Sequence, residues 1–142
     1  MKKNSIFIGA LVVLCSIALA APAGALSKKD WRKQADNVCR QSQTLLNEDA
    51  STIPVDSTGN PSAADFSAFM NDVVKPNYTQ VIGSIKALPA PSSLKAKAKK
   101  MLAQLQKATN AISASITLDE LDKLFATPTK TAKKLGLKVC GQ

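Results

Sequence analysis

The chain has 142 residues, 19 lysines and arginines against 10 aspartates and glutamates, a net charge of +9 and no histidine. The missing imidazole excludes Ser-His-Asp and Cys-His catalysis and histidine-ligated zinc or haem. Aromatics make up 4% of the chain, too few for the aromatic and β-branched alternation of a strand-rich domain, so helices are expected.

The first element is a leader. In MKKNSIFIGALVVLCSIALAAPAGA, two lysines precede an apolar run from Ile6 to about Ala20, and small residues follow at alternating spacing. That layout predicts a secretory signal peptide over residues 1–25, removed after Ala20, Ala23 or Ala25. The run is shorter than the ~20 residues that cross a bilayer. Cys15 follows Leu14 and is itself followed by more apolar sequence, so it reads as part of the run and not as a lipid-attachment site.

Removal of the leader leaves one domain, 26–142, with a charge of +7 and two cysteines, Cys39 and Cys140. An oxidising compartment and a single pair predict one disulfide joining them. It would close nearly the whole domain into a ring. They have no C-x-x-C spacing, and no histidine is present to make them catalytic or metal-binding.

Helix one is expected from about Ser27 to Asn47, opened by Ser27 and Asp30 in a near capping box. Trp31, Ala35, Val38, Ser42 and Leu45 share one face, with Cys39 on its flank. Residues 48–61, EDASTIPVDSTGNP, read as a loop. DSTGN faintly resembles a calcium loop, but the glycine and the closing residue fall at the wrong positions.

Helix two opens at Ser62 and carries Phe66, Phe69, Met70, Val73 and Val74 before Pro76, where a break or kink is expected. The apolar stripe rotates by roughly a quarter turn across that proline, into Tyr78, Val81, Ile82, Ile85 and Leu88. Leu88-Pro89-Ala90-Pro91 ends the segment. Ser92 or Ser93 should cap helix three, Leu94 to Ser115, with a stripe of Leu94, Ala98, Met101, Leu105, Ala108 and Ile112. Thr117-Leu118-Asp119-Glu120 is a capping box for helix four, which Pro128 should interrupt and Gly136 should stop. Leu137 and Val139 should then turn inward and carry Cys140 to helix one. The expected fold is all-α: a small four-helix bundle with a kinked second helix, stapled by one disulfide.

Little chemistry is visible. Asp119, Glu120 and Asp122 form the one dense acidic cluster, in a first helical turn where the helix dipole favours negative charge. No phosphate loop, nucleophile elbow or zinc motif occurs, and neither a cofactor nor an enzymatic activity is expected. Lys95, Lys97, Lys99, Lys100, Lys133 and Lys134 read first as solvated faces; as a patch they would meet an anionic envelope polymer or a lipid surface. Nucleic acid is not an expected partner of an exported chain. Asn77-Tyr78-Thr79 fits a glycosylation tripeptide.

Three stretches carry a resemblance. VVKPNYTQVIGSIKALPAP (73–91), LGLKVCG (135–141) and the early Trp31, Ala35 and Cys39, with Asp36 ahead of the cysteine, resemble a group of small exported helical proteins of actinobacteria. That group pairs an early cysteine with one before a terminal glycine, and many of its members look like lipoproteins; Leu14-Cys15 departs from that pattern. The resemblance implies the helical fold and the disulfide and carries no activity. The leading functional expectation is a non-catalytic interaction module of the cell envelope or extracellular space. The alternative is a small carrier holding an amphipathic or lipid-like ligand between the helices, lined by Phe66, Phe69, Met70, Tyr78 and Met101.

Overall fold

The computed structural model describes residues 24–142; the expected leader lies outside the described residues, apart from Gly24 and Ala25. The described chain is helical, in the order α1 (Lys28–Ala50), α2 (Ala63–Ala68), a π segment (Phe69–Val74), α3 (Lys75–Ala87), α4 (Ser92–Asn110) and α5 (Leu118–Leu135).

α1 starts where its cap predicts: Ser27 is extended and its Oγ accepts from Asp30 N at 3.1 Å. Trp31, Ala35 and Ser42 are buried, but Leu45 is 47% exposed, against expectation. Leu46 turns inward instead, because beyond Ser42 the helix packs on a different cluster, offset around its axis.

The following loop is tied by one side chain. Asp56 Oδ1 accepts from Thr58 N, Thr58 Oγ1 and Asn60 N at 2.8, 2.6 and 3.1 Å. These bonds hold the Asp56 carboxyl below its ordinary range, the Thr58 hydroxyl contributing most.

At Pro76, where a break or kink is expected, no break occurs: the π segment runs directly into α3. Proline has no N–H to give to Asp72 O, and its ring crowds that carbonyl. The preceding turn widens, and Lys75 N–H bonds Met70 O, five residues back. A wide turn of this kind accommodates one extra residue, which sets the helix phase back by about 100°. That offset matches the quarter-turn rotation of the apolar stripe, so Met70 and Val74 before the proline and Val81 and Ile85 after it all reach the core.

α4 is not capped by a serine. Pro91 is the extended N-cap residue, its carbonyl accepts from Leu94 N and Lys95 N at 2.9 and 3.0 Å, and no side chain caps the helix. Ser92 is thereby drawn into the first turn. The helix ends at Asn110 instead of Ser115, yet Ile112 and Ile116 in the following turns are buried.

α5 has the full capping box: Glu120 Oε2 accepts from Thr117 N at 2.9 Å and Thr117 Oγ1 accepts from Glu120 N at 3.3 Å. Pro128 does not interrupt it; the proline is buried inside a continuous helix. The α4–α5 interface is the most extensive among the described elements, and this packing offsets the backbone bond lost at Pro128. Gly136, at φ +79°, ends the helix in a Schellman motif, with Leu137 N to Ala132 O at 3.1 Å and Gly136 N to Lys133 O at 2.9 Å.

The tail then turns back across α1. Arg32 Nε donates to Leu135 O at 2.7 Å, and the Asp36 carboxylate accepts from the backbone N–H of Lys138, Val139 and Cys140 at 2.9, 2.9 and 3.3 Å. The Cys39–Cys140 disulfide closes the connection across 101 residues, with Cα atoms 5.3 Å apart. Leu137 is buried and Val139 half-buried, as their alternation predicts.

Two apolar clusters result. Trp31, Ala35, Ile85, Ala98, Met101 and Leu135 anchor the one at the disulfide end. Met70, Val74, Ile112 and Ile116 form the other, with Phe66, Phe69, Tyr78 and Phe125 packed against it.

Candidate functional site

Helix packing leaves a gap between α1 and α5. α1 packs on α3, α3 on α4 and α4 on α5, but α1 and α5 share no extensive contact. A cleft of 340 Å3 opens between them, floored by Val81 and Ile85 of α3 and by Met101 and Leu105 of α4. The disulfide, Val139 and Gln142 close one end. Leu46, Tyr78, Leu121 and Phe125 form the other, where the Tyr78 and Phe125 rings lie 4.5 Å apart at a tilt of 31°.

The polar groups of this cleft are few and placed at its walls. Ser42 donates its hydroxyl proton to Asn77 Oδ1, and the Asn77 side chain is half-buried. The tripeptide that begins at Asn77 therefore contributes its first residue to the α1–α3 contact. Gln43, Thr129 and Gln142 contribute amide and hydroxyl groups, and Asp122 is the one carboxylate in the lining. Tyr78 is the chain's only tyrosine, and burial raises the pKa of its phenol above the ordinary 10.0. The phenol thus stays neutral across the physiological range.

The sequence-predicted lining residues divide. Tyr78 and Met101 line the cleft, whereas Phe66, Phe69 and Met70 belong to the second core cluster. Met70 is 1% exposed, a packed core residue. The six singled-out lysines are all exposed: Lys95, Lys97, Lys99 and Lys100 on α4, and Lys133 and Lys134 in the last turn of α5, where positive charge complements the helix dipole. Lys95 and Lys99 border a second, larger groove between α3 and α4; Lys97 and Lys100 do not line it.

Cys39 and Cys140 are paired, so neither of these thiols is a nucleophile. Among the described residues no three histidine, cysteine, aspartate or glutamate side chains gather as metal ligands. No helix of the described residues is long and apolar enough to cross a membrane. The cleft can enclose an apolar body and offer hydrogen bonds at its walls, which is binding chemistry.

The residues that hold the cleft's closed end were only partly readable. Asp36 precedes Cys39 at a spacing that puts both on the same side of α1, but its role as acceptor for three tail amides depends on how the tail returns. Comparison with protein-family models, with curated proteins and with solved structures finds no match.

Proposed function

We propose that this chain is an exported, non-catalytic helical domain that carries a small amphipathic molecule in the cleft between α1 and α5. Its fold is read as a small four-helix bundle, bent where Pro76 follows the π segment. The observation that carries the proposal is the gap itself. Small helical domains close-pack their interiors, yet here two helices stand apart over a 340 Å3 space with an apolar floor and hydroxyl and amide walls. That volume lies within the range of small-molecule sites, which begin near ~300 Å3. Of the two functional readings open from the sequence, a carrier accounts for this space and a purely superficial interaction module does not.

The lining also limits the ligand. Asp122 is its one charged side chain, so a neutral or cationic polar end is favoured over an anionic one. The seal at the disulfide end ties ligand retention to the oxidised, exported state, in keeping with the leader and with the resemblance to small exported proteins.

Titration with the uncharged fluorophore N-phenyl-1-naphthylamine tests the reading. Saturable enhancement at one equivalent is expected, and Ala126→Phe, which fills the cleft from an exposed position on α5, should abolish it. Lys95→Gln with Lys99→Gln should leave it unchanged. Unsaturable enhancement, or equal enhancement in Ala126→Phe, would refute the carrier.

A further inference from the structure

Charge is unevenly distributed along the described chain. Residues 92–110 and 123–142, which make up α4, most of α5 and the tail, contain ten lysines and no aspartate or glutamate. The rest of 26–142 holds seven lysines and arginines and all ten carboxylate side chains of the protein. An ordinary solvated surface intersperses the two signs.

The lysines are also ordered in space. On α4, Lys97, Lys100 and Lys107 fall at i, i+3 and i+10, with Gln104 at i+7, so the four share one side of the helix. On α5, Lys130, Thr131 and Lys134 fall at i+3, i+4 and i+7 from Thr127, again on one side. Thr131 Oγ1 donates to Gln104 Oε1 at 2.7 Å, which brings the two sides together. The five lysines, all exposed, therefore form a row along each flank of the α4–α5 seam. Turns in the link 111–117, and the packing of Ile112 and Ile116 with Leu121 and Leu124, make the two helices antiparallel. Lys100 is then level with Lys134, and Lys107 lies near the level of Lys130. The α4 row is about 15 Å long, and the helix axes stand about 8–10 Å apart. Lys97 with Lys100, and Lys130 with Lys134, are like charges one turn apart, which repel. No carboxylate on either stretch relieves them. Lys123 differs, having Glu120 beside it, and marks the end of the face.

We propose that this face binds one strand of a linear phosphate polymer of the cell envelope, laid along the seam between the two rows. Ammonium groups on both flanks hold a single strand from either side, and lysine meets phosphate as a point charge with no fixed bidentate geometry. The Gln104 amide and the threonine hydroxyls between the rows suit the oxygens of such a backbone. A lipid surface fits less well: the exposed large apolar side chains, Leu45, Val55 and Leu118, lie outside both rows, so nothing on this face inserts among acyl chains. Neither row contains an aromatic ring on which a nucleic-acid base could stack. None of the five lysines lines the α1–α5 cleft, so the proposal stands or falls independently of the carrier reading.

Fluorescently labelled long-chain linear polyphosphate, followed by anisotropy, is the probe. It should bind the intact protein saturably and more weakly as salt rises. Lys100→Gln with Lys134→Gln should weaken binding at least tenfold while retaining the helical circular dichroism of the parent. Lys28→Gln with Lys29→Gln removes the same charge from exposed positions at the start of α1 and should weaken binding less than threefold. At matched phosphate concentration, phosphatidylglycerol vesicles and duplex DNA should compete less well than unlabelled polyphosphate. Absence of saturable binding, equal losses in the two double variants, or equal or stronger competition by vesicles or by DNA would each overturn the proposal.

Discussion

Replacing Cys39 and Cys140 by serine removes the closure of a ring that spans 101 residues. On the chain-entropy account, opening a loop of that length restores to the unfolded state a freedom worth about 4.7 kcal/mol at 25 °C. The same substitution leaves the tail's other attachments in place: the three N–H bonds to Asp36 and the Arg32 bond to Leu135 O. The native structure should therefore persist, less stable, with the loss arising mainly from an expanded unfolded chain. Urea unfolding followed by the emission of buried Trp31 measures it. With a slope of about 2 kcal/mol/M, the midpoint should fall by about 2 M, and the slope should rise because the uncrosslinked chain exposes more surface. A domain near the lower end of the usual 5–15 kcal/mol would be left with folded and unfolded chains in comparable amounts without urea, which is the extreme of the same expectation. Asp36→Asn, with the disulfide intact, should cost less, about 1–2 kcal/mol, because it weakens partly solvated hydrogen bonds without changing the loop. A loss below about 1 kcal/mol for the double serine variant, with an unchanged slope, would refute the ring argument.

The π segment makes a second prediction. Deleting exposed Asp72 together with Pro76→Ala should let α2 and α3 join as one ordinary α-helix with the apolar stripe still in phase, costing about 1 kcal/mol or less. Deleting exposed Gly83 within α3 should rotate Ile85 out of the core and unfold the domain, and equal effects of the two deletions would contradict the phase argument. Gly136→Ala places a Cβ 2.9 Å from Arg32 Nε at φ +79°, and thermal or urea unfolding should show a loss of about 2 kcal/mol. Gly83→Ala, with open space around the new Cβ, should instead gain about 0.5–1 kcal/mol. Asp56 and Glu120 both hold folded pKa values below their ordinary 3.8 and 4.5, through hydrogen bonds from Thr58 and Thr117 respectively. Their contribution is full above those ordinary values and is lost as pH falls through the depressed folded ones. Urea midpoints between pH 5 and pH 2 should decline less in Asp56→Asn with Glu120→Gln than in the parent; parallel declines would contradict this.

What could be read from sequence was local. Ser27, Ser62, Thr117 and Gly136 act within a turn of where they stand, and each caps or stops a helix as its residue type predicts. The cysteine pair was legible because, once the leader is discounted, two thiols allow only one intramolecular bond. Prolines were harder. Pro76 and Pro128 both satisfy the rule for breaking a helix, but a widened turn absorbs one and the α4–α5 packing offsets the bond lost at the other. Pro91 took the capping position from its serine neighbours because its carbonyl already serves the first helical N–H groups. The choice of Leu46 over Leu45 depends on which cluster faces the end of α1, which helical periodicity alone does not encode. The cleft was the least legible feature. Phe66, Phe69 and Met70 have the same composition and spacing as lining residues, and only the separation of α1 from α5 tells the two apart.

Native mass spectrometry of the full chain, expressed in and purified from its own host without detergent, addresses the carrier claim most directly. The account predicts a reproducible added mass of one neutral or cationic small molecule per chain, absent from Ala126→Phe prepared in parallel. A spectrum showing only the bare chain, or the same adduct on both proteins, would contradict it.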